Sequence, residues 1–280
     1  MNKGLSWFVL LLLIAGYLFL YGPILSLIVF SFNASKLVTV WGGFSTRWYG
    51  ELANDDAILR AVTLSLFIAA VSATAAAVLG TMAGYVLARF RKFRSRVLFT
   101  GMVSAPLVMP EVITGLAMLL MFVFLGQVVG WPAGRGKVTI ILAHTTFCLT
   151  YVAVILQARL SQLDQSLEEA ALDLGCRPFK TFLVITLPII APAILSGWLL
   201  AFTLSLDDVV ISSFTTGPGA TTLPMEVFSR VRLGLNPEIN ALATIIIGVV
   251  ASGVLLASLI MSRQEKRRQR DIQMATAANK

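Results

Sequence analysis

The stretch EEAALDLGCRPFKTFLVITLP, residues 168–188, is a short polar segment in a chain that is otherwise mostly apolar. Four residues in it and just before it have the spacing i, i+3, i+4 and i+7 of one helical face: Leu167, Ala170, Ala171 and Leu174. Glu168 and Asp173 fall on the opposite side of that helix. The pattern therefore predicts a short amphipathic helix with a narrow apolar stripe.

Local signals mark both ends of this helix. Ser166 and Glu169 have the spacing of a capping box, and Gly175 suits a helix end in the left-handed conformation. Pro178 then suits the first turn of a second helix. A helix of about two turns is marginal by itself, and the alanines in its stripe leave room for another protein's side chains. We therefore interpret the segment as a docking element.

The composition is that of a membrane protein. Of 280 residues, 57% are apolar and 13% are charged, against roughly a quarter charged in an average soluble domain. Apolar runs long enough to cross a hydrocarbon core of roughly 30 Å recur along the chain, so we predict an all-α polytopic membrane protein with six spans. The spans lie at about residues 7–31, 61–88, 97–126, 138–157, 189–213 and 239–261.

Basic residues cluster between the apolar runs, in RFRKFRSR at residues 89–96 and in SRQEKRRQR at residues 262–270. This placement of the net charge of +8 favours a topology signal over nucleic-acid binding. By the positive-inside rule both segments are cytoplasmic, and an even number of spans then places both termini in the cytoplasm. The same topology makes residues 158–181 cytoplasmic, so the docking element would face the cell interior. The simplest role of the basic tail is orientation beside anionic lipid.

Two segments are predicted to lie outside. Residues 33–60 carry Trp41, Trp48 and Tyr49, which suit a surface that faces lipid headgroups or a partner. Residues 215–224, TTGPGATTLP, are rich in turn-forming residues. A gate, a landing surface for a substrate-delivering receptor and a plain connecting loop are all compatible with that composition.

The second span carries small residues at regular spacing. Ala69, Ala73 and Ala77 lie four apart, and Gly80 and Gly84 form a GxxxG pair. Small residues at this spacing let helices approach closely. Tight packing within the chain is favoured over a dimer seam.

Three carboxylates lie inside predicted spans, where charge is costly, and they are therefore functional candidates: Glu111, Asp207 and Asp208. Glu111 directly follows Pro110 and lies five residues after Pro106. Two prolines so close together break or kink a helix, and the freed carbonyls need a cavity or neighbouring protein. For Glu111, electrostatics along a substrate path and a structural hydrogen bond or protonated carboxyl both remain open.

Asp207 and Asp208 would point about 100° apart on a helix, so a shared task is not expected. One would face a path while its neighbour pairs within the bundle. Carboxylates and aromatic faces both bind ammonium groups, which makes Trp198 and Tyr151 candidate contributors. His144, the only histidine, is expected to form a hydrogen bond between helices rather than a proton relay.

The remaining signals for chemistry are weak. Cys148 lies in an apolar run and Cys176 in the docking element, so no disulfide is expected, and no metal-ligand spacing occurs. The chain has no phosphate-binding loop of the GxxxxGK[ST] type, and GRGK at residues 134–137 lacks its spacing. Any ATP would therefore be bound by a partner.

The docking element resembles a family motif. EAALDLG, followed nine residues after Gly175 by ITLP, has every fixed position of the EAA motif, EAA-x3-G-x9-I-x-LP, of membrane subunits of ABC importers. Residues 104–116, 197–214 and 215–244 look like the polyamine branch of that family.

This resemblance implies a type I ABC importer permease, a six-helix bundle whose first span is peripheral to a five-helix core. It divides the chain into residues 1–60 with the first span and an external loop, 61–261 with the core, and 262–280 as a basic cytoplasmic tail. The coupling helix would lie at about residues 166–175 and sit in a groove of a cytoplasmic ATPase. The residues implied in this contact are Glu169, Ala170, Ala171 and Gly175.

The implied function is import of a polyamine, most closely putrescine, across the bacterial inner membrane. Two cytoplasmic ATPase subunits would bind ATP and Mg, which leaves this chain a non-catalytic subunit without a cofactor of its own. A homologous second permease, forming a heterodimer, and a periplasmic substrate-binding protein would complete the transporter. Spermidine or another small solute remains an alternative substrate.

Two alternatives come from other function classes. An uncoupled channel would leave the docking element unexplained. An intramembrane enzyme would use the interior carboxylates or the histidine, but the sequence has no HExxH, no glycine-framed serine and no clustered ligand set.

Overall fold

The computed structural model describes residues 7–37, 40–90, 92–234, 237–253 and 255. Within them the chain is all-α, and β pairing is limited to the isolated antiparallel bridge between Asn33 and Phe44. A π-helical turn, Phe182–Thr186, joins α8 to α9. The helices are α1 Trp7–Phe30, α2 Arg47–Ala53, α3 Asp56–Arg89, α4 Arg96–Val108, α5 Glu111–Val128, α6 Lys137–Ser161, α7 Ser166–Asp173, α8 Pro178–Thr181, α9 Leu187–Asp207, α10 Val210–Thr215, α11 Leu223–Leu233 and α12 Pro237–Gly253.

Five of the described helices are long and apolar enough to cross a membrane: α1, α3, α5, α6 and the continuous run Pro178–Asp207. Two shorter apolar helices, α4 and α12, accompany them. The predicted all-α, multi-span architecture is therefore confirmed. α12 covers residues 239–253 of the sixth predicted span, and the basic tail at residues 262–270 lies outside the described residues.

The third predicted span is broken in the middle. α4 ends at Val108, Met109 has extended backbone angles, and Pro110 is the N-cap residue of α5. Proline lacks the backbone N–H that would continue α4, and it disfavours a helical residue before it. The predicted effect of the two prolines is confirmed at Pro110, while Pro106 lies inside α4.

The fifth predicted span, residues 189–213, differs from the structure at both ends. Its helical run begins at Pro178, which suits the first turn of a helix, and passes through the π-helical turn into α9. It ends at Asp207, since Asp208 is extended with ψ 125°, and α10 begins at Val210.

In the compact unit formed by residues 56–229, α3, α6 and α9 pack against one another. A Cβ atom added at Gly80 would lie 2.7 Å from Cβ of Val152, and one added at Gly84 would lie 2.9 Å from the carbonyl oxygen of Ala153. The three small residues before them on α3 are also buried: Ala69, Ala73 and Ala77. The predicted use of this stripe for packing within the chain is confirmed.

In the second compact unit, residues 1–55 with 230–280, the segment after α1 is organised by one buried side chain. The Asn33 amide donates to the carbonyl of Val40 at 2.7 Å, and its oxygen accepts the backbone N–H of Gly42 at 2.7 Å. The indole N–H of Trp48 donates to the Asn33 carbonyl at 2.6 Å.

Of the three aromatic residues predicted to face headgroups or a partner, one is in the interior. Trp48 is 3% exposed, because its ring and N–H complete the loop around Asn33. The expectation that it faces outward is therefore wrong. Trp41 is exposed, and the hydroxyl of Tyr49 lies 2.7 Å from that of Ser31.

Candidate functional site

The docking element begins at a cap that differs from the predicted one. Gln165 is the N-cap residue of α7, and no side chain caps the helix from that position. Ser166 is instead the first helical residue, and its backbone N–H donates to the Asp164 carboxylate at 3.0 Å. Hydrogen bonds from the backbone N–H and from the side chain of Ser166 hold the pKa of Asp164 below its usual range. The predicted capping box between Ser166 and Glu169 is wrong, because the chain enters the helix one residue earlier.

The end of α7 has the predicted form. Gly175 has φ +83°, its N–H donates to the carbonyl of Leu172 at 2.9 Å, and the N–H of Cys176 donates to the carbonyl of Ala171 at 3.0 Å. This pair of bonds is a Schellman motif, which needs a residue with positive φ. Pro178 is at the first position of α8, as predicted. The glycine thus fixes the angle at which α7 meets the following helix.

One side of α7 is open to the surroundings. We use the name docking surface for five exposed residues of α7 and its C-cap: Leu167, Glu169, Ala170, Asp173 and Leu174. Leu174 is 87% exposed and Leu167 is 50% exposed. Phe179, in α8 just beyond the glycine, is also exposed. Adjacent exposed apolar side chains with a polar rim are typical of an interaction surface.

The other side of α7 faces the interior of the same chain. Ala171 is 6% exposed, which does not agree with its implied contact with a partner. Glu168, expected on the polar outer side, accepts a hydrogen bond from Arg89 at 2.9 Å and another from the hydroxyl of Thr186 at 2.8 Å. The helix is turned relative to the predicted stripe, because the ion pair of Glu168 fixes its rotation.

His144 lies in the interior where α6 meets α9 and α10. Its Nδ1 is 2.6 Å from Oγ of Ser205, and its Nε2 is 3.1 Å from Oδ2 of Asp208 and 3.0 Å from Oγ of Ser212. The Asp208 carboxylate also accepts the backbone N–H groups of Ile211 and Ser212, in the way an N-cap residue satisfies a helix start. The predicted hydrogen-bonding role of His144 is confirmed, and Asp208 is the member of the acidic pair that is held within the bundle.

Glu111 and Asp207 are exposed on the surface of the chain although both lie at the ends of apolar helices. Glu111 is the first residue of α5 and Asp207 is the last residue of α9, and both of these helices contact α6, which carries Cys148 and Tyr151. Tyr151 lies three residues after Cys148 in α6, on the same helical face. The two exposed carboxylates therefore lie on helices that both pack against α6.

Trp198 has a different environment. Its indole N–H donates to the hydroxyl of Thr74 at 3.0 Å, and its ring stacks on that of Phe202 with centroids 5.3 Å apart. The side chain thus joins α9 to α3. The structure does not bring Trp198 together with the pair of exposed carboxylates.

Among the residues that the structure describes, no group of three His, Cys, Asp or Glu side chains is placed to hold a metal ion. Cys148 and Cys176 are both free thiols.

Most of the chain is similar in sequence to known proteins. Residues 77–270 match the family described as binding-protein-dependent transport system inner membrane component. The chain is 63% identical over 269 residues to the putrescine transport system permease protein PotI of Escherichia coli strain K12, covering 96% of this chain and 95% of that protein. It is 40% identical over 251 residues to the spermidine/putrescine transport system permease protein PotC of the same strain, covering 90% and 92%.

Two solved structures share the fold. A bacterial ABC transporter involved in the import of the acidic polysaccharide alginate matches with a TM-score of 0.67 and 15% identity, over 89% of this chain and 92% of that chain. The MetNI methionine ABC transporter in an inward-facing conformation matches with a TM-score of 0.58 and 16% identity, over 71% and 92%.

Proposed function

Since the chain belongs to the family of binding-protein-dependent transport system inner membrane components, we propose that it is the permease subunit of an ATP-driven polyamine importer. Putrescine is the proposed main substrate, because the relative that is 63% identical is named for putrescine transport. The observation that carries the proposal is the docking surface on α7. It gives a subunit without a nucleotide-binding loop a place to receive force from an ATPase.

The proposed assembly contains this chain, a homologous second permease, two cytoplasmic ATPase subunits and a periplasmic substrate-binding protein. The ATPase subunits would bind ATP and Mg. The contact with one of them would use Glu169, Ala170 and the region of Gly175, together with the exposed side chains of Leu167 and Leu174. This arrangement requires α7 to be cytoplasmic, with both chain termini on the same side.

The proposed substrate path runs along α6, past the exposed carboxylates of Glu111 and Asp207 on two helices that contact it. Placing a carboxylate in contact with hydrocarbon costs free energy. The exposed carboxylates on these two apolar helices therefore indicate a surface that is covered by another protein or by an aqueous path, and not by lipid. Ammonium groups of a polyamine would form charge-assisted hydrogen bonds with these carboxylates, and the Tyr151 ring offers a cation–π contact. We assign a structural role to Asp208, because its carboxylate already forms hydrogen bonds with His144 and with two backbone amides.

A second substrate, spermidine, is favoured by one specific observation, the 40% identity to a permease named for both polyamines. An uncoupled channel and an intramembrane enzyme have no comparable support.

Reconstitution tests the proposed function. The chain is purified with its partners and placed in liposomes, and ATP hydrolysis and uptake are measured with the binding protein loaded with putrescine or with spermidine. We expect uptake that requires ATP and stronger stimulation by putrescine. Uptake that persists without the ATPase subunits would point to a channel, and a preference for spermidine would reassign the substrate.

A further inference from the structure

Glu168 lies at a joint where α7 meets the bundle. Arg89, the last residue of α3, donates through Nη2 to Oε1 of Glu168 at 2.9 Å and through Nη1 to the carbonyl of Leu160 in α6 at 3.1 Å. The hydroxyl of Thr186, which ends the π-helical turn before α9, donates to the same carboxylate oxygen at 2.8 Å. One carboxylate therefore ties α7 to α3 and α9, and through Arg89 to α6.

This joint is shielded from solvent. The side chains of Arg89 and Glu168 are 9% and 16% exposed, and Thr186 is buried. Charge-assisted hydrogen bonds in such a place are short and directional. A shielded ion pair adds little net stability, because desolvation offsets much of the Coulomb attraction. Its main physical effect is to fix the geometry of the elements it joins.

The π-helical turn adds a second observation at the same place. Phe182, its first residue, packs edge-on against the Tyr85 ring of α3 with centroids 5.3 Å apart. Thr186, its last residue, holds Glu168. π-helical turns are rare and occur frequently at functional sites. Here the turn links α8, next to the docking surface, to α9 in the bundle core.

We propose that Glu168 is the positioning residue that transmits movement of the docking surface to α3, α6 and α9. It is turned away from the docking surface and acts through Arg89 and Thr186. By holding α7 to the three helices that pack together in the core, it makes them move with α7 instead of letting α7 pivot on its two loops. This inference rests on the proposed function, because it requires an ATPase that acts on α7.

The test uses two conservative variants in the reconstituted transporter. Glu168→Gln keeps the size of the side chain and removes its charge, and Thr186→Val keeps the shape and removes the hydroxyl donor. The measurements are co-purification of the ATPase and putrescine uptake per ATP hydrolysed. We expect the ATPase to co-purify normally, while Glu168→Gln lowers uptake per ATP by about fivefold or more, the lower end of a typical coupling between sites. Thr186→Val is expected to cause a smaller fall.

Exchanging the charges of Arg89 and Glu168 distinguishes a role in transmitting movement of α7 from a role in folding alone. Arg89→Glu and Glu168→Arg should each lower uptake per ATP, and the double variant should recover part of it, because the ion pair is re-formed with opposite polarity. Asp56→Asn is the matched control, since it removes a carboxylate whose side chain is 83% exposed at the other end of α3, and it should match the wild type.

Two results would overturn the inference. One is wild-type uptake per ATP in both Glu168→Gln and Thr186→Val. The other is loss of the ATPase in both variants, which would make the joint merely structural. Failure of the proposed function is distinct, because it would appear in the wild type as uptake that needs no ATP.

Discussion

Asp207 and Asp208 are neighbours in the chain whose side chains lie in different surroundings. The Asp208 side chain is 6% exposed and binds His144 together with the backbone amides of Ile211 and Ser212 in α10. Asp207 is exposed at the end of α9. Substituting each residue in the same way therefore separates a structural carboxylate from a candidate transport carboxylate.

Asp208→Asn should destabilise the chain, because the charge-assisted bonds weaken and an amide N–H group replaces an acceptor near the α10 amides. We expect a loss of about 1–3 kcal/mol, measured by thermal unfolding in detergent. Asp207→Asn should unfold like the wild type but lower putrescine uptake without loss of the ATPase. Unaltered uptake in Asp207→Asn would contradict its place on the substrate path.

Glu169 is one of the two charged residues of the docking surface, and it directly precedes Ala170 in the sequence. Glu169→Lys should weaken ATPase association by about tenfold or more, since reversing a charge in an interface adds repulsion, while insertion and folding remain intact. Quantitative co-purification measures this. Asp56→Lys is the matched control, because it makes the same change at another exposed carboxylate. Equal co-purification of the two variants would contradict the docking role.

The structural roles of individual residues were predictable where the signal was local. Gly175 and Pro178 mark a helix end and a helix start by their backbone properties alone, and both are found as predicted. The partner of Glu168 was not predictable, because Arg89 is 79 residues away and its cluster of basic residues indicates only topology. The same limit applies to Asp208, whose role depends on a histidine 64 residues away.

At the scale of elements, the small-residue stripe of α3 determines how closely α3 and α6 approach. Periodicity was enough to predict this packing, because the need for small residues is a property of the stripe itself. The rotation of α7 was not predictable in the same way. Its apolar stripe is short, and the ion pair of Glu168 turns Ala171 into the bundle, whereas the pattern alone placed Ala171 on the outer face.

Gly84→Ala should destabilise the α3–α6 contact. The added methyl group would lie 2.9 Å from the Ala153 carbonyl oxygen and 3.0 Å from the backbone nitrogen of Gln157, and backbone atoms cannot move aside at small cost. We expect a loss of about 1–3 kcal/mol, as for other overpacked sites, measured by thermal unfolding of the purified chain.

The control is Gly16→Ala in α1, where an added Cβ meets nothing within 4 Å. It should be neutral or slightly stabilising, because alanine favours a helix more than glycine does. If the Gly84→Ala variant were as stable as Gly16→Ala, close contact between α3 and α6 would not contribute to the stability of the chain.

At the scale of the whole molecule, the proposed mechanism requires a fixed orientation of the chain, with defined segments on the cytoplasmic and on the external side of the membrane. The docking surface and the basic loop between α3 and α4 would face the cytoplasm, and the loop between α5 and α6 would face outward. The charge distribution supports this orientation by the positive-inside rule, because five of the eight residues 89–96, at the junction of α3 and α4, are Lys or Arg. The broken third span fits a path between the two sides, since a helix interruption leaves backbone groups that only protein or a cavity can satisfy.

Single cysteines at two exposed loop positions test this orientation. Lys92→Cys lies between α3 and α4, and Ala133→Cys lies between α5 and α6. The background carries Cys176→Ser, while Cys148 is retained because it is buried. We expect a membrane-impermeant thiol reagent to label Ala133→Cys in intact cells and Lys92→Cys only after the membrane is opened. The reverse pattern would place α7 on the external side, where no cytoplasmic ATPase could reach it, and would remove the physical basis of coupling through the docking surface.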